Sequence, residues 1–486
     1  MRQTVKFFLL ILPLICLVAC LKQSKDEKKP QLNYEISRAL AQENVVPVAI
    51  IGSGPAGLSA SLYVARAGMK AFVFAGPIPC GQLTQTTFIE NWPGSKRVLG
   101  IDLMYDIKKQ AESFGATIIH DTVTNIDFSS WPFALETEDG KKFKVMAVIL
   151  ATGAQPRRLN VVGESEYWGK GVTTCAVCDA PFFKDKEVVI SGGGDSAAEM
   201  VFELAPYVKK VTILVRKGAM RAAAAMQKKV FEHKNAVIEF HKEIAGIYGD
   251  GQGVTSIDVY DNQTKMTERR AIDGVFLAIG HDPNNQMLQG GIALDEHGYV
   301  KMDGRSQETL TPGVFAAGEI QDPVYRQAIV AAGEGVKAAL DATSFLYGIG
   351  FNAEIGKQLD QNFFEHFSDV KLELKEITEN SELNDLVLNE SSGLVILDFF
   401  STDCPGCMQM LPVLEAIASK LAGKVTIIKT NYRKVKQTIF RELWLKHDIK
   451  VLKIPAMLIF KDGKLQDLNT KIMSKPQLME YLQKFL

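Results

Sequence analysis

Four of the seven cysteines form two Cys-x-x-Cys pairs far apart in the chain, Cys175-Ala176-Val177-Cys178 and Cys404-Pro405-Gly406-Cys407. Their neighbours differ. The first pair is followed by Asp179 and then by a strand and a glycine-rich turn. The second follows the apolar strand Leu394–Phe400 and opens a helix. A thiolate is the nucleophile in disulfide exchange, so an attacking cysteine needs a lowered pKa. The N–H groups and dipole of a helix N-terminus supply this at Cys404. Cys407, deeper in the helix, then resolves the mixed disulfide. Pro405 fits the first turn, where an N–H is spare, though it removes one donor. Asp403, if near the sulfur, opposes the thiolate. Zinc held by four thiolates is set aside, because each pair has its own redox context.

The elements around the pairs are nucleotide-binding units. Val48–Ile51 reads as a buried strand running into Gly52-Ser53-Gly54-Pro55-Ala56-Gly57, then a helix Leu58–Ala67 and a strand Lys70–Ala75. G-x-G-x-x-G between strand and helix lets the backbone approach a pyrophosphate at the helix N-terminus. A second unit starts at Glu187–Ser191. Its turn is Gly192-Gly193-Gly194-Asp195-Ser196-Ala197, its helix Ala198–Leu204 and its next strand Val211–Val215. Arg216, Lys217 and Arg221 follow that strand. Basic residues there suit a 2′-phosphate, so the second site reads as NADPH. Two dinucleotide sites in one chain usually mean a flavin and a nicotinamide. The first lacks an acid at the end of its second strand, where Phe74-Ala75-Gly76 stand, so motif alone does not make it an FAD site. With both units and both pairs, the chain looks built to pass electrons from a nucleotide to one dithiol and then to another.

The 486 residues imply about three domains. With 23% charged residues and a net charge of −1, nothing electrostatic argues for nucleic acid. Seven cysteines in so long a chain are not a disulfide scaffold. Cys16 and Cys20 lie in an N-terminal apolar run, Phe7–Leu21, which is short for a spanning helix and normal for a signal-peptide core. Leu17-Val18-Ala19-Cys20 resembles a lipoprotein cleavage box. Lys22, Lys25, Lys28 and Lys29 outnumber Arg2 and Lys6, which for an uncleaved anchor favours a cytoplasmic C-terminal side.

Further on, Ile355, Leu359, Phe363 and Phe367 fall four apart and predict an amphipathic linker helix within residues 348–368. Then come a strand near Leu372–Ile377, a helix capped at Thr378 and a strand Val425–Thr430. Two more strands flank the hairpin turn Lys461-Asp462-Gly463-Lys464, and a last helix spans Lys475–Phe485.

From about Val46 to Leu346 the chain resembles the low-molecular-weight thioredoxin reductases. Gly81-Gln82-Leu83-Thr84 and Glu90-Asn91-Trp92-Pro93-Gly94 resemble that family's flavin-contacting stretch, and Ala151-Thr152-Gly153-Ala154 its strand end near the flavin. Ala278-Ile279-Gly280-His281-Asp282-Pro283-Asn284 resembles its crossover. Gly313–Gly318 and Tyr325-Arg326-Gln327-Ala328 resemble its C-terminal flavin clamp. The resemblance implies FAD and NADPH as cofactors and an NADPH domain inserted into a discontinuous FAD domain. It implies Cys178 beside the isoalloxazine, Cys175 as the exchanging thiol and Asp179 as proton donor. Three positions depart: Glu319 replaces the usual Asp at the flavin ribityl chain, Cys80 replaces a glycine, and Val215-Arg216-Lys217 replaces His-Arg-Arg.

The last ~110 residues resemble thioredoxin. Asp398 matches its buried acid, Pro412 its helix kink, and Ile454-Pro455 its cis-proline facing the dithiol. The Cys-Pro-Gly-Cys order reverses the usual Gly-Pro, and extra residues stand around Lys434–Thr438 and Val451–Lys453.

The expected fold is α/β: two Rossmann-like nucleotide-binding domains followed by a thioredoxin fold. The expected divisions are a signal or anchor segment at 1–30, FAD-binding parts at 45–157 and 286–347, and an NADPH domain at 158–285. A linker at 348–369 and a thioredoxin-like domain at 370–486 follow. The expected reaction is NADPH-dependent reduction of the chain's own thioredoxin module and then of client disulfides such as those of peroxidases, by a homodimer. Its catalytic domains would face the cytoplasm, where NADPH is, with a membrane tether through residues 7–21; an envelope lipoprotein is the alternative. Two rivals are a flavin-dependent dithiol oxidase of the same fold, opposed by the retained Gly192–Ala197 turn, and a non-catalytic client-binding envelope protein, opposed by two intact pairs.

Overall fold

A computed structural model describes residues 32–85, 88–288, 291–363, 374–389, 393–401, 404–435, 438–449, 451 and 453–486. The N-terminal apolar segment, Phe367, Leu372 and Asp403 lie outside them. Among the described residues, no helix is long and apolar enough to cross a membrane.

The first strand runs from Val45 to Ile51, three residues longer than the sequence pattern predicts, and all seven residues are buried. Such a continuous apolar run suits a central strand covered on both faces. It pairs in parallel with Ala71–Phe74 and Lys142–Leu150. The seven-stranded sheet continues through Thr117–Ile119 on one side and Phe133–Thr137 and Val123–Asp127 on the other, with Val314–Ala316 beside Lys142–Leu150. Helix α1 (Pro55–Arg66) leaves the first turn and packs on the long helix Ala328–Gly348. Helix α2 (Gly100–Ser113) lies against α1.

A second, parallel sheet has the order Val172–Thr173, Gly274–Leu277, Glu187–Ser191, Lys210–Val215, Ala236–Phe240. A three-stranded antiparallel sheet, Lys242–Ala271, adjoins it. The two halves meet at a ribbon in which Ala154–Pro156 pairs with His281–Pro283, clasped by an Arg157–Asp282 ion pair at 2.7 Å.

The predicted linker helix forms as Ala353–Gln361, started by Asn352, whose side chain accepts from the N–H groups of Glu354 and Ile355. It is no free spacer. Leu359 is buried in the core around the first sheet, Ile355 packs on it, and Phe363 stacks on Phe72 at 5.3 Å. The C-terminal sheet runs Lys375–Glu376, Val425–Asn431, Leu394–Phe400, Ala456–Lys461, Lys464–Asn469, the last two antiparallel. Its first helix, Asn380–Leu386, begins one residue later than predicted, with Glu379 at the cap position. The Thr378 N–H is instead taken by the Glu382 carboxylate. Helix α3 (Pro405–Lys420) carries Pro412 inside it.

Candidate active site

A cavity of about 890 Å³ opens where the first sheet ends. Gly52, Gly54, Pro55 and Ala56 form one wall at the N-terminus of α1. The glycines are steric necessities there. A Cβ on Gly52, at φ +111°, would lie 2.3 Å from the Ala151 carbonyl, and one on Gly57 would lie 1.9 Å from the Gly52 carbonyl. Gly57 therefore stands behind the cavity and lets helix and strand close up. Gln82, Leu83, Asn91, Thr152 and Gly153 line the floor. Thr152 and Asn284 exchange hydrogen bonds, Oγ1 to carbonyl at 2.7 Å and Nδ2 to carbonyl at 2.8 Å, which holds two loops together.

Gly318, Glu319, Arg326, Gln327 and Ala328 close the cavity. Burial pushes the Glu319 carboxyl up to about 7, against the pull of Arg326. Burial and Arg326 lower His281 to about 4, so its neutral Nδ1 accepts from the Arg326 guanidinium at 2.7 Å. Arg326 has φ 47°, and its turn is held by Asp322, whose carboxylate accepts from the N–H groups of Val324, Tyr325 and Arg326. The Gly318 N–H donates to Glu334 at 2.8 Å. Asp322 and Glu334 are positioning residues that sequence reasoning missed; Asp322, four before Arg326, carries a turn signal.

The first dithiol faces this cavity. Cys175 caps the short helix Ala176–Asp179, its Sγ accepting from the Cys178 N–H at 3.2 Å, and the two are joined as a disulfide with Cα atoms 5.3 Å apart. Asn91 Nδ2 lies 3.9 Å from Cys178 Sγ and 3.2 Å from Gln327 Oε1. Burial raises the Asp179 carboxyl, opposed by a hydrogen bond with Thr173. Thr173 Oγ1 also accepts from the Cys175 N–H, so it braces both groups.

The second turn lies apart from this cavity; of its residues, Ser196 reaches the lining. Gly192 closes on the Ala278 carbonyl, and Gly194 caps the helix Asp195–Leu204. The Asp195 carboxylate accepts from the Ala223 N–H at 2.8 Å, so its bond in this structure goes to the loop carrying Arg221. Arg216, Lys217 and Arg221 are exposed. Asn262, unremarked in the sequence, donates to the Arg216 carbonyl at 2.8 Å and pins that loop. Ala197 is buried in the helix, and Ile279 and Gly280 lie on the crossover beside the ribbon. Ile279 packs on the second half's core.

Cys80 is buried with Leu58 and Met104, and burial pushes its thiol up to about 12. Its φ of 64° is left-handed, a conformation that favours glycine. Its N–H donates to Ser53 Oγ at 2.7 Å.

In the C-terminal unit, Cys404 is partly exposed and Cys407 fully buried, joined as a disulfide. The Ile454–Pro455 bond is cis, and a Cβ on Gly406 would lie 3.3 Å from the Pro455 ring. Asp398 is fully buried; neither carboxylate oxygen has a hydrogen-bond partner among the described residues, and burial raises it to about 7.

The chain matches the pyridine nucleotide-disulphide oxidoreductase family over residues 46–335. It belongs to that family. Residues 375–484 match thioredoxin. The chain is 43% identical to a thioredoxin reductase of Dictyostelium discoideum over 317 residues, 63% of this chain and 99% of that one. It is 31% identical over 464 residues to NADPH-dependent thioredoxin reductase 3 of Arabidopsis thaliana, covering 93% of this chain and 86% of the relative. The solved thioredoxin reductase of Giardia duodenalis is 42% identical, with a TM-score of 0.60 over 63% of this chain and all of its own. This member is an NADPH-dependent, FAD-containing thioredoxin-disulfide reductase with a C-terminal thioredoxin domain. The glycine cradle and the large cavity at a helix N-terminus fit a dinucleotide.

Proposed function

We propose that electrons pass from NADPH through FAD to Cys175–Cys178, then to Cys404–Cys407 of the same protein, then to client disulfides. The observation that carries this is the pairing of two intact dithiols with different settings: one in the flavin cavity, the other at a helix N-terminus beside a cis-proline. Bound FAD supplies the two-electron transfer between NADPH and the first disulfide. Gly52, Gly54 and Ala56 would hold its pyrophosphate, and Gln82, Asn91, Thr152, Glu319 and Gln327 would hold the rest. The Gly192–Ala197 turn with Arg216, Lys217 and Arg221 would hold NADPH.

Once reduced, the Cys175 thiolate attacks Cys404 Sγ and Cys407 leaves as thiolate. Cys178 then attacks Cys175 Sγ and frees Cys404. Two electrons and two protons move in all. Asp179, whose carboxyl burial raises, gives a proton on the reductase side. Asp398, raised to about 7, trades one with Cys407. The dithiol occupies the flavin cavity here while, of the NADPH turn, Ser196 reaches its lining, which supports the domain rotation that the family resemblance implies, about the Ala154–Pro156 and His281–Pro283 ribbon, between the two half-reactions.

Exposed Tyr63 on α1 and exposed Leu340 and Tyr347 on the helix Ala328–Gly348 that packs against it support a homodimer. The need for NADPH supports a cytoplasmic face for these domains, with any tether in residues 7–21; peroxidases are proposed clients.

Cys404→Ser tests the relay. Reduction of an added external thioredoxin should persist, while insulin disulfide reduction without one should stop. Unchanged insulin reduction would refute the fused module as the relay.

A further inference from the structure

The thioredoxin module sits on the flavin-side half through a built interface. Ile101 of α2 is 3% exposed and belongs to the same apolar cluster as Cys407, Met410 and Leu414 of α3, with Leu99 and Tyr105 packed against it. Beside this cluster Lys108 Nζ meets Glu415 Oε2 at 3.2 Å, both side chains nearly buried. Breaking a buried pair strands a charge in an apolar setting, so such a pair specifies one docked geometry. At the rim Lys420 pairs with Asp139, and Lys475 Nζ donates to the His120 carbonyl at 2.8 Å. The loop after Ala71–Phe74 completes the surface. Pro77 and Ile78 line the flavin cavity on one side and, on the other, a crevice of about 300 Å³ shared with Pro412, Ile472 and Met473 of the module. Ile472 in turn lies over Gly406, between the two cysteines.

In this pose the dithiols are apart. No described residue of the module lines the cavity that holds Cys175 and Cys178. A mixed disulfide between Cys175 and Cys404 needs their Cα atoms within roughly 7 Å.

We infer that α2 and the Pro77–Thr84 loop form a docking surface for the chain's own thioredoxin module, and that this docked pose is a resting pose which the relay must leave. The inference rests on the relay reading above. The surface fits this module because α3 brings an acid, Glu415, to Lys108 and apolar groups to Ile101. A thioredoxin lacking an acid at that place would leave Lys108 only Glu112 of its own helix, 3.8 Å away, as its charge partner.

A lock tests it. In full-length protein with Cys16 and Cys20 replaced by Ser as the background, the Asp139→Cys/Lys420→Cys variant in its oxidised form has its four redox cysteines tied up as disulfides and Cys80 buried. A short bismaleimide should join the two new thiols above the background of the single variants. The locked protein should lose insulin reduction by its own module at least tenfold while still reducing added thioredoxin; the unlocked double variant should do both. A locked protein that keeps its own-module rate would overturn the resting pose. Absence of cross-linking, or loss of both activities, would overturn the dock. An unlocked variant with no own-module reduction would instead bring down the relay, and the resting pose with it.

Discussion

Asp398→Asn should make the thioredoxin module more stable and less active at once. The carboxyl is fully buried, has no hydrogen-bond partner among the described residues, and is raised from 3.8 to about 7 by burial, with Lys429 pulling the other way. Between these two values the folded module holds a proton that the unfolded chain has released. Stability conferred by the neutral acid is therefore full below pH 4 and is lost as pH rises toward 7. The gap of about 3 pH units, at about 1.4 kcal/mol each, amounts to about 4 kcal/mol of ionisation penalty at pH 8. Asparagine cannot ionise and avoids most of it. Hydrogen-exchange protection of Leu394–Phe400 in the full chain, from pH 5 to 8, is the assay. The variant should gain about 1.5 kcal/mol at pH 5 and about 4 kcal/mol at pH 8, while own-module insulin reduction falls because Cys407 has lost its proton partner. An equal gain at both pH values, or no gain at pH 8, would refute the buried-ionisation argument. A more stable module with undiminished turnover would refute the proton role.

Replacing Arg216 and Arg221 by Ala should raise KM for NADPH about tenfold or more, given ~1.5–3 kcal/mol per charged hydrogen bond, and leave KM for NADH nearly unchanged; equal effects in steady-state assays would remove the 2′-phosphate role. Gly335→Ala should lower Tm and flavin content, because its Cβ would lie 2.1 Å from the Ala56 carbonyl behind the cradle. Gly333→Ala, two residues earlier in the same helix with open space around it, should stabilise by up to ~1 kcal/mol. Thermal melts of the two variants should move in opposite directions, and only Gly335→Ala should lose flavin absorbance.

Strands were the most legible part of the chain. Glu187–Ser191 and Leu394–Phe400 are apolar runs bounded by breakers, and they form with those bounds. The glycine turns and cysteine pairs were legible because their chemistry is local. The linker helix was legible as a helix but not in its role: periodicity shows an apolar face, and only the fold supplies Phe72 for Phe363 to stack on. Thr378 looked like a cap because its side chain can serve as one, yet Glu382 takes its N–H. Asp322, Glu334, Asn262 and Thr173 act through backbone partners, so their roles need coordinates. The dock was invisible for a simpler reason. Lys108 and Glu415 are 307 residues apart, and each reads alone as an ordinary helix-surface charge.

The series order of the two dithiols is tested most directly by thiol counting. Full-length protein and its Cys178→Ser variant would each be treated anaerobically with excess NADPH, quenched with acid, alkylated and mapped by mass spectrometry. Electrons reaching Cys404 and Cys407 through Cys175–Cys178 predict that both are labelled in the parent protein and neither in the variant, while flavin bleaching survives in both. Labelling of Cys404 and Cys407 in Cys178→Ser to the parent's extent would contradict the relay.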